Sequence, residues 1–248
     1  MQQQLQELLF PLAESESKRF VKICIFTALP DRQACQQALL AARKAVEAVL
    51  PWPLVISVIP QRPADCQVAV EAWYTGPQAT SYHQAEGEEA ICLKQDGLLL
   101  ARVASFTGDV YTDAINCFSA IEKLGEYYGF LFRGLFRQWN YIGQIFEFTG
   151  GRQHYQLFND ARGQFFTPER FPQGYPAATG IGMDVPGVII ESCFIRPGRL
   201  RSLPLANPMQ RPAHQYSQQV LHPGRQAKAA IAPRFERLPD KLLTPRTV

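Results

Sequence analysis

The order of apolar runs in this chain repeats, and the repeat limits the folds open to it. Phe20–Leu29 is an apolar run with β-branched residues, the mark of a buried strand. Pro30-Asp31 punctuates it, with Asp31 placed as an N-cap. Leu39, Ala42, Val46 and Val49 then recur at helical 3,4,3 spacing as far as Leu50. Pro51 and Pro53 stop that helix, because proline lacks the backbone donor and clashes with the preceding turn. Leu54–Ile59 and Gln67–Tyr74 read as two more strands, and Gly76–Glu89 is polar and reads as a loop. Ala90–Lys94 and Leu98–Ser105 form an expected hairpin around Asp96-Gly97, a favoured turn dipeptide. Thr112–Tyr128 is an expected helix with Ile115, Phe118, Ile121 and Leu124 on one face. A strand over Leu131–Ile145, a helix around Gln153–Phe165 and strands at Ala178–Met183 and Val188–Phe194 complete the series. The first region is therefore βαββ and the second ββαβαββ, whose last four elements repeat the first. The chain reads as α+β, with residues 1–80 a half unit, 85–200 a complete unit and 201–248 an extended tail rich in Pro, Arg and Gln.

The most informative stretch lies in the second region, Gly134–Gly163. Period-2 alternation puts Leu135, Arg137, Trp139 and Tyr141 on one face of a strand and Phe136, Gln138, Asn140 and Ile142 on the other. A basic group beside large aromatics suits a small anionic, partly unsaturated ligand. Guanidinium pairs bidentately with carboxylate while rings cover the carbon skeleton. The alternative is a half-buried strand whose Arg reaches solvent. Past Gly150-Gly151, a short amphipathic helix carries His154, Tyr155, Phe158 and Arg162, of which His154 is expected to be exposed.

Charge and composition remove other classes. A net charge of +3 without a Lys/Arg block argues against a nucleic-acid surface. Six scattered cysteines without a CxxC pair, and four histidines without ligand spacing, argue against zinc. The start lacks a basic n-region and no run approaches membrane-spanning length, so a soluble cytoplasmic protein without membrane contact is expected.

The ββαβαββ order resembles the RidA/YjgF-like fold, mixed sheets with helices packed on one face, here as one complete unit plus one half unit. Deaminases of that superfamily carry a Pro-Ala-Arg-Ser/Thr stretch whose Arg holds the substrate carboxylate. The matching residues here are Pro176-Ala177-Ala178-Thr179, so Ala178 removes the anchor of that chemistry. Within the superfamily the chain is similar to the chorismatase group, the FkbO-like enzymes. That similarity rests on Arg137-Gln138-Trp139-Asn140-Tyr141-Ile142, on Tyr155 to Arg162, on Pro176 to Gly182, and on Asn207-Pro208-Met209-Gln210 with Ala213 and Tyr216. The resemblance implies removal of pyruvate from chorismate or a related enolpyruvyl acid without metal or organic cofactor. It offers Arg137, Tyr155, Arg162, Thr179, Tyr216 and Trp139 as substrate-binding residues. Each has a plainer reading: an ion pair for Arg137, a helix-dipole partner for Arg162, core aromatics for Tyr155 and Trp139, and close backbone packing at Thr179-Gly180.

The family's C-terminal segment, with its catalytic Glu, is expected to be absent after Phe235-Glu236-Arg237. Glu191 is then a weak substitute acid if buried, and otherwise a solvent-facing strand residue. The half unit is expected to leave uncovered strand faces that a second copy or a partner subunit would cover. A non-catalytic homologue, binding a small acid or scaffolding another subunit, is the alternative to an enzyme.

Overall fold

The computed structural model describes residues 19–172 and 174–196. Tyr216, the Asn207-Pro208-Met209-Gln210 stretch and the tail expected over 201–248 lie outside those residues. β1 (Arg19–Thr27), α1 (Arg32–Glu47), β2 (Val55–Pro60) and β3 (Val68–Thr75) form the first unit. Asp31 caps α1 as expected, its side chain accepting from Ala34 N at 2.8 Å. The second unit runs β4 (Thr80–Ala85), β5 (Glu88–Leu93), β6 (Leu98–Ser105), α2 (Val110–Tyr127), a 3-10 turn (Phe132–Gly134) and β7 (Leu135–Gly143). It continues through a short ribbon, β8 (Phe148–Thr149) and β9 (Arg152–Gln153), into α3 (His154–Phe165), β10 (Ala177–Met183) and β11 (Val188–Ile195).

Two expectations change here. The stretch read as a loop contains β4, an edge strand of polar and aromatic residues paired along its length with β5, where the ladder rather than an apolar run fixes the conformation. The long strand expected from Leu131 begins at Leu135, because Leu131 to Gly134 is spent on the 3-10 turn. It ends at Gly143, where a Cβ would meet backbone atoms at 2.5 to 2.7 Å.

The strands make a three-stranded sheet in the order β2-β1-β3 and a six-stranded sheet in the order β10-β7-β11-β6-β5-β4. The repeat read from the sequence holds in three dimensions. β1 is parallel to β2 and antiparallel to β3; β7 is parallel to β10 and antiparallel to β11. Both copies also carry a bulge at the same place. Val21 is the extra residue between Phe20 and Lys22, and Phe136 the extra residue between Leu135 and Arg137. The bulge corrects the alternation expected for β7: Leu135 joins the core under the helices, while Phe136 faces the other way with Trp139.

The layers follow from the apolar faces. α1 covers the outer face of the small sheet through Ala38, Ala42 and Val46 packed on Ile23, Ile25, Ile56 and Val58. α2 and α3 cover the outer face of the large sheet through Phe118, Ile121 and Phe158, each fully buried aliphatic or aromatic side chain contributing about 1.5–3 kcal/mol. The inner faces of the two sheets meet, Val21 and Val55 against Ile91 and Leu100, and Cys24 and Ile59 against Tyr141 and Ile189. The strand faces expected to stand bare are thus covered from both sides within the chain, and among the described residues the outer edges of β2, β3, β4 and β10 are what remain without a ladder partner. This is the α+β, RidA-like arrangement of mixed sheets with helices packed on one face.

Candidate functional site

The residues singled out in the sequence gather around the β7–β10 pair, but on both of its faces. β7 and β10 run parallel with Arg137 opposite Ala177, Trp139 opposite Thr179 and Asn140 opposite Gly180. Odd-numbered side chains past the bulge point toward the small sheet; even-numbered ones point toward α3.

On the helix face, α3 returns over the strands and places Tyr155 against Gly180, where a Cβ would lie 3.3 Å from the tyrosine ring. Glycine here lets the ring approach the strand, the close approach anticipated for Thr179-Gly180. Two turns on, Arg162 sits with its guanidinium carbon 4.8 Å from the centre of the Phe166 ring. Burial lowers the Arg162 pKa, opposed by Tyr155 and Tyr175. Its Nε has no hydrogen-bond partner among the described residues, and no carboxylate of theirs forms an ion pair with it. β7 and β11 place Gln138, Asn140 and Ser192 on this face. Gln138 is 0 % exposed, yet neither Oε1 nor Nε2 has a partner among the described residues, and Asn140 Oδ1 and Ser192 Oγ share that condition. Unpaired polar atoms so deep are costly, so such a group calls for an explanation. Sequence reasoning missed these three as site residues, because polar positions on a period-2 strand look like solvent-facing ones.

On the inner face, Arg137 is half-buried, donates to Thr179 Oγ1 at 2.7 Å and lies 4.5 Å over the Trp139 ring. Burial lowers its pKa, and again no carboxylate of the described residues forms an ion pair with it. The ion-pair reading of Arg137 thus finds no partner among the described residues. Trp139 meets Trp73 edge-on at 5.4 Å. Cys193, opposite Arg137 on β11, has its thiol pushed up to about 12 by burial and offers no ready thiolate.

Glu191 also lies on the inner face, 2 % exposed, so the solvent-facing reading is replaced. Lys22 of β1 donates to one carboxylate oxygen at 2.6 Å and Ser57 of β2 to the other at 2.5 Å, with Tyr141 OH 3.3 Å away. Lys22 is itself buried, 4.7 Å from the Trp73 ring centre and 4.9 Å from that of Trp139. Burial, the largest single influence, would lower its pKa, but Glu191, Cys24 and Glu71 together outweigh it and the net shift is upward. Lys22 carried no signal in the sequence, since one lysine in an apolar strand is indistinguishable from a solvent-facing one. His154 is likewise buried rather than exposed, held between the Gly143 carbonyl and Thr149 Oγ1 at 2.9 Å each. Its role is to fix the ribbon to the start of α3.

The structure thus brings Arg137, Trp139, Thr179 and Glu191 to one face and Tyr155 and Arg162 to the other. A separate surface cleft of about 310 Å³, lined by Arg43, Trp52 and Tyr82 among others, holds none of them. Arg43 there is already paired with the buried Glu89.

Comparison with known proteins narrows the family. Residues 71–193 match the family described as chorismatase FkbO/Hyg5-like, N-terminal. A chorismatase crystal structure superposes with a TM-score of 0.55 at 19 % identity, covering 75 % of this chain and 51 % of its own. This chain therefore spans about half the length of that chorismatase. A structure of a proposed translation initiation inhibitor from Salmonella typhimurium covers 48 % of this chain and 100 % of its own, with 10 % identity and a TM-score of 0.39. Comparison with curated protein sequences gives no match. With the FkbO/Hyg5-like N-terminal domain laid over β3 to β11 and a chorismatase sharing its fold, the chain belongs to the chorismatase family.

Proposed function

We propose that the chain binds a small carboxylic acid of the enolpyruvyl cyclohexadiene class, chorismate being the type, on the helix face of the β7–β10 pair. One observation carries this reading: among the described residues Arg162 is a half-buried guanidinium without a carboxylate, and Gln138 and Asn140 hold buried polar atoms without partners on the same face. A carboxylate would satisfy the guanidinium bidentately, and the amides and the Tyr155 hydroxyl would take ring hydroxyls. Ala178 stands on this face opposite Gln138. The cation that imine deaminases carry at that strand position is supplied here from α3 instead. Arg137, Thr179 and Trp139 contact a ligand only from the other side of the sheet, so one ring-sized acid does not meet both guanidiniums.

Family membership makes pyruvate release the reaction to test. A general acid protonates the methylene carbon of the enol ether, giving an oxocarbenium centre. Water adds to it with loss of a proton, and the hemiketal collapses to pyruvate and a ring hydroxyl. The ring product is then a dihydroxycyclohexadiene carboxylate, or a hydroxybenzoate where the neighbouring ring hydroxyl, losing its proton, displaces pyruvate at the ring carbon and the resulting epoxide isomerises to the aromatic ring. Arg162 and Tyr155 hold the substrate in that scheme. Glu191 accepts hydrogen bonds on both oxygens on the opposite face, which argues against it as the acid. Among the described residues the carboxyl two positions before Arg162 on α3, Asp160, is paired with Arg152 and so is not a free acid beside it. That observation favours the second reading, a chorismatase homologue that binds the acid without turning it over.

Calorimetry with chorismate, together with pyruvate release coupled to lactate dehydrogenase, tests both. Saturable binding weakened about 10- to 100-fold by Arg162→Ala is the expected result, the loss of one charge-assisted pair. Binding unchanged in that variant overturns the site. Pyruvate release that disappears in Arg162→Ala favours the enzyme; binding without release favours the non-catalytic homologue.

A further inference from the structure

The two bulges align the repeats residue by residue. Lys22 follows one bulge and Arg137 the other. Ser57 and Thr179 then fall at matching positions on the parallel neighbours, and Glu71 and Glu191 at matching positions on the antiparallel ones. Each copy thus carries one cation, one hydroxyl and one carboxylate on the inner face. The pairing does not follow the copies. Lys22 lies 3.9 Å from Glu71 of its own copy but 2.6 Å from Glu191 of the other, while Ser57 occupies the second oxygen of Glu191. Arg137 is left with the neutral Thr179.

We propose that Lys22 is a positioning residue that holds Glu191 away from Arg137 and so keeps Arg137 open as a second carboxylate site, one shaped for a planar aromatic carboxylate against Trp139. Glu191 lies one register step from Arg137 across β11 and β7, the diagonal from which a glutamate reaches an arginine. Released from Lys22, it would neutralise the guanidinium. Held by Lys22 and Ser57, it leaves to a ligand the Arg137 donors that Thr179 does not take. The site is reached from the β10 side, where Ala177, opposite Arg137, is exposed and β10 pairs only with β7 among the described residues. A carboxylate paired with a guanidinium that lies 4.5 Å over the Trp139 ring brings an attached ring alongside the indole, which favours flat ligands over puckered ones. The site is separated from Arg162 by the strands themselves, so it stands or falls apart from the reading above.

Benzoate is the probe, with cyclohexanecarboxylate as the puckered control and tryptophan emission as the readout. The full chain is expected to show saturable quenching by benzoate and at least tenfold weaker quenching by the control. Arg137→Gln removes the benzoate response, and Arg162→Ala leaves it unchanged. Lys22→Met weakens benzoate at least tenfold, and Lys22→Met/Glu191→Gln restores it to within about threefold, a rescue that loss of packing alone would not give. A double variant as weak as the single one overturns the proposal, as does a folded wild-type chain without saturable quenching. Should circular dichroism show that Lys22→Met alone does not fold, Glu191→Gln decides: benzoate binding retained supports the proposal, and binding lost overturns it.

Discussion

The β1-α1-β2-β3 unit and the β7-α3-β10-β11 unit share topology, bulge and register, yet their outer faces are made of different chemistry. Where the first has Ile23, Ile25, Ile56, Val58 and Ala72, the second has Gln138, Asn140, Ala178, Gly180 and Ser192 at the matching positions. The helices compensate: α1 offers Ala38, Ala42 and Ala45, whereas α3 offers Tyr155, Phe158 and Arg162. One copy is a filled aliphatic layer. The other has small and polar residues on the strands and a cation on the helix. Shared strand topology therefore separates what holds the fold from what would serve a ligand, and the second copy gives up aliphatic packing for polar character.

Moving the polar character into the first copy gives the largest expected effect. Ile23→Gln places at a fully buried position the amide that Gln138 carries in the second copy, but beneath α1 it finds only alanines and aliphatics. Lost packing and an unsatisfied amide together cost about 3–5 kcal/mol. Urea denaturation measures this, and a cost below about 1 kcal/mol would mean that the two layers are less different than their residues indicate.

The opposite exchange is smaller and has the opposite sign. Gln138→Leu removes two unpaired polar atoms from a 0 % exposed position and is expected to stabilise the chain by about 1–2 kcal/mol. The same variant should weaken chorismate binding in calorimetry. Stabilisation with binding intact would take Gln138 out of the site.

How much of this was open to reading from residues alone follows the range of the interactions. The βαββ repeat was legible because its signals are local: the Asp31 cap, the 3,4,3 apolar spacing, the prolines after Leu50. Arg137, Tyr155 and Arg162 stood out through their motifs, and the structure gives both arginines half-buried guanidiniums without an ion pair among the described residues. β4 was hidden because Thr80–Ala85 owes its conformation to the β5 ladder rather than to its own composition. The exchange of faces at Leu135 and Phe136 was hidden because a bulge is defined by the partner strand. The burial of Glu191 depends on Lys22, 169 positions earlier in the chain, and no window of sequence contains both.

The smallest expected effect tests whether that long-range pair joins the two copies. Burial acts most strongly on the Lys22 pKa and lowers it, but Glu191, with Cys24 and Glu71, raises it above its ordinary 10.5. Above pH 10.5 the unfolded chain releases this proton while the folded chain keeps it, so the folded state binds more protons and stability falls as pH rises. The contribution is complete below the unfolded value and is lost as pH passes through the folded one. Buried Tyr141 and Cys24, both raised chiefly by burial, push stability in the same direction over neighbouring pH. The Lys22 part is therefore the difference between wild type and Lys22→Met/Glu191→Gln in urea midpoints followed from pH 9 to 12. A steeper alkaline loss in the wild type assigns it to the pair. Parallel curves would show that the two copies are held together by their apolar contacts alone, with Lys22 and Glu191 contributing nothing that titrates.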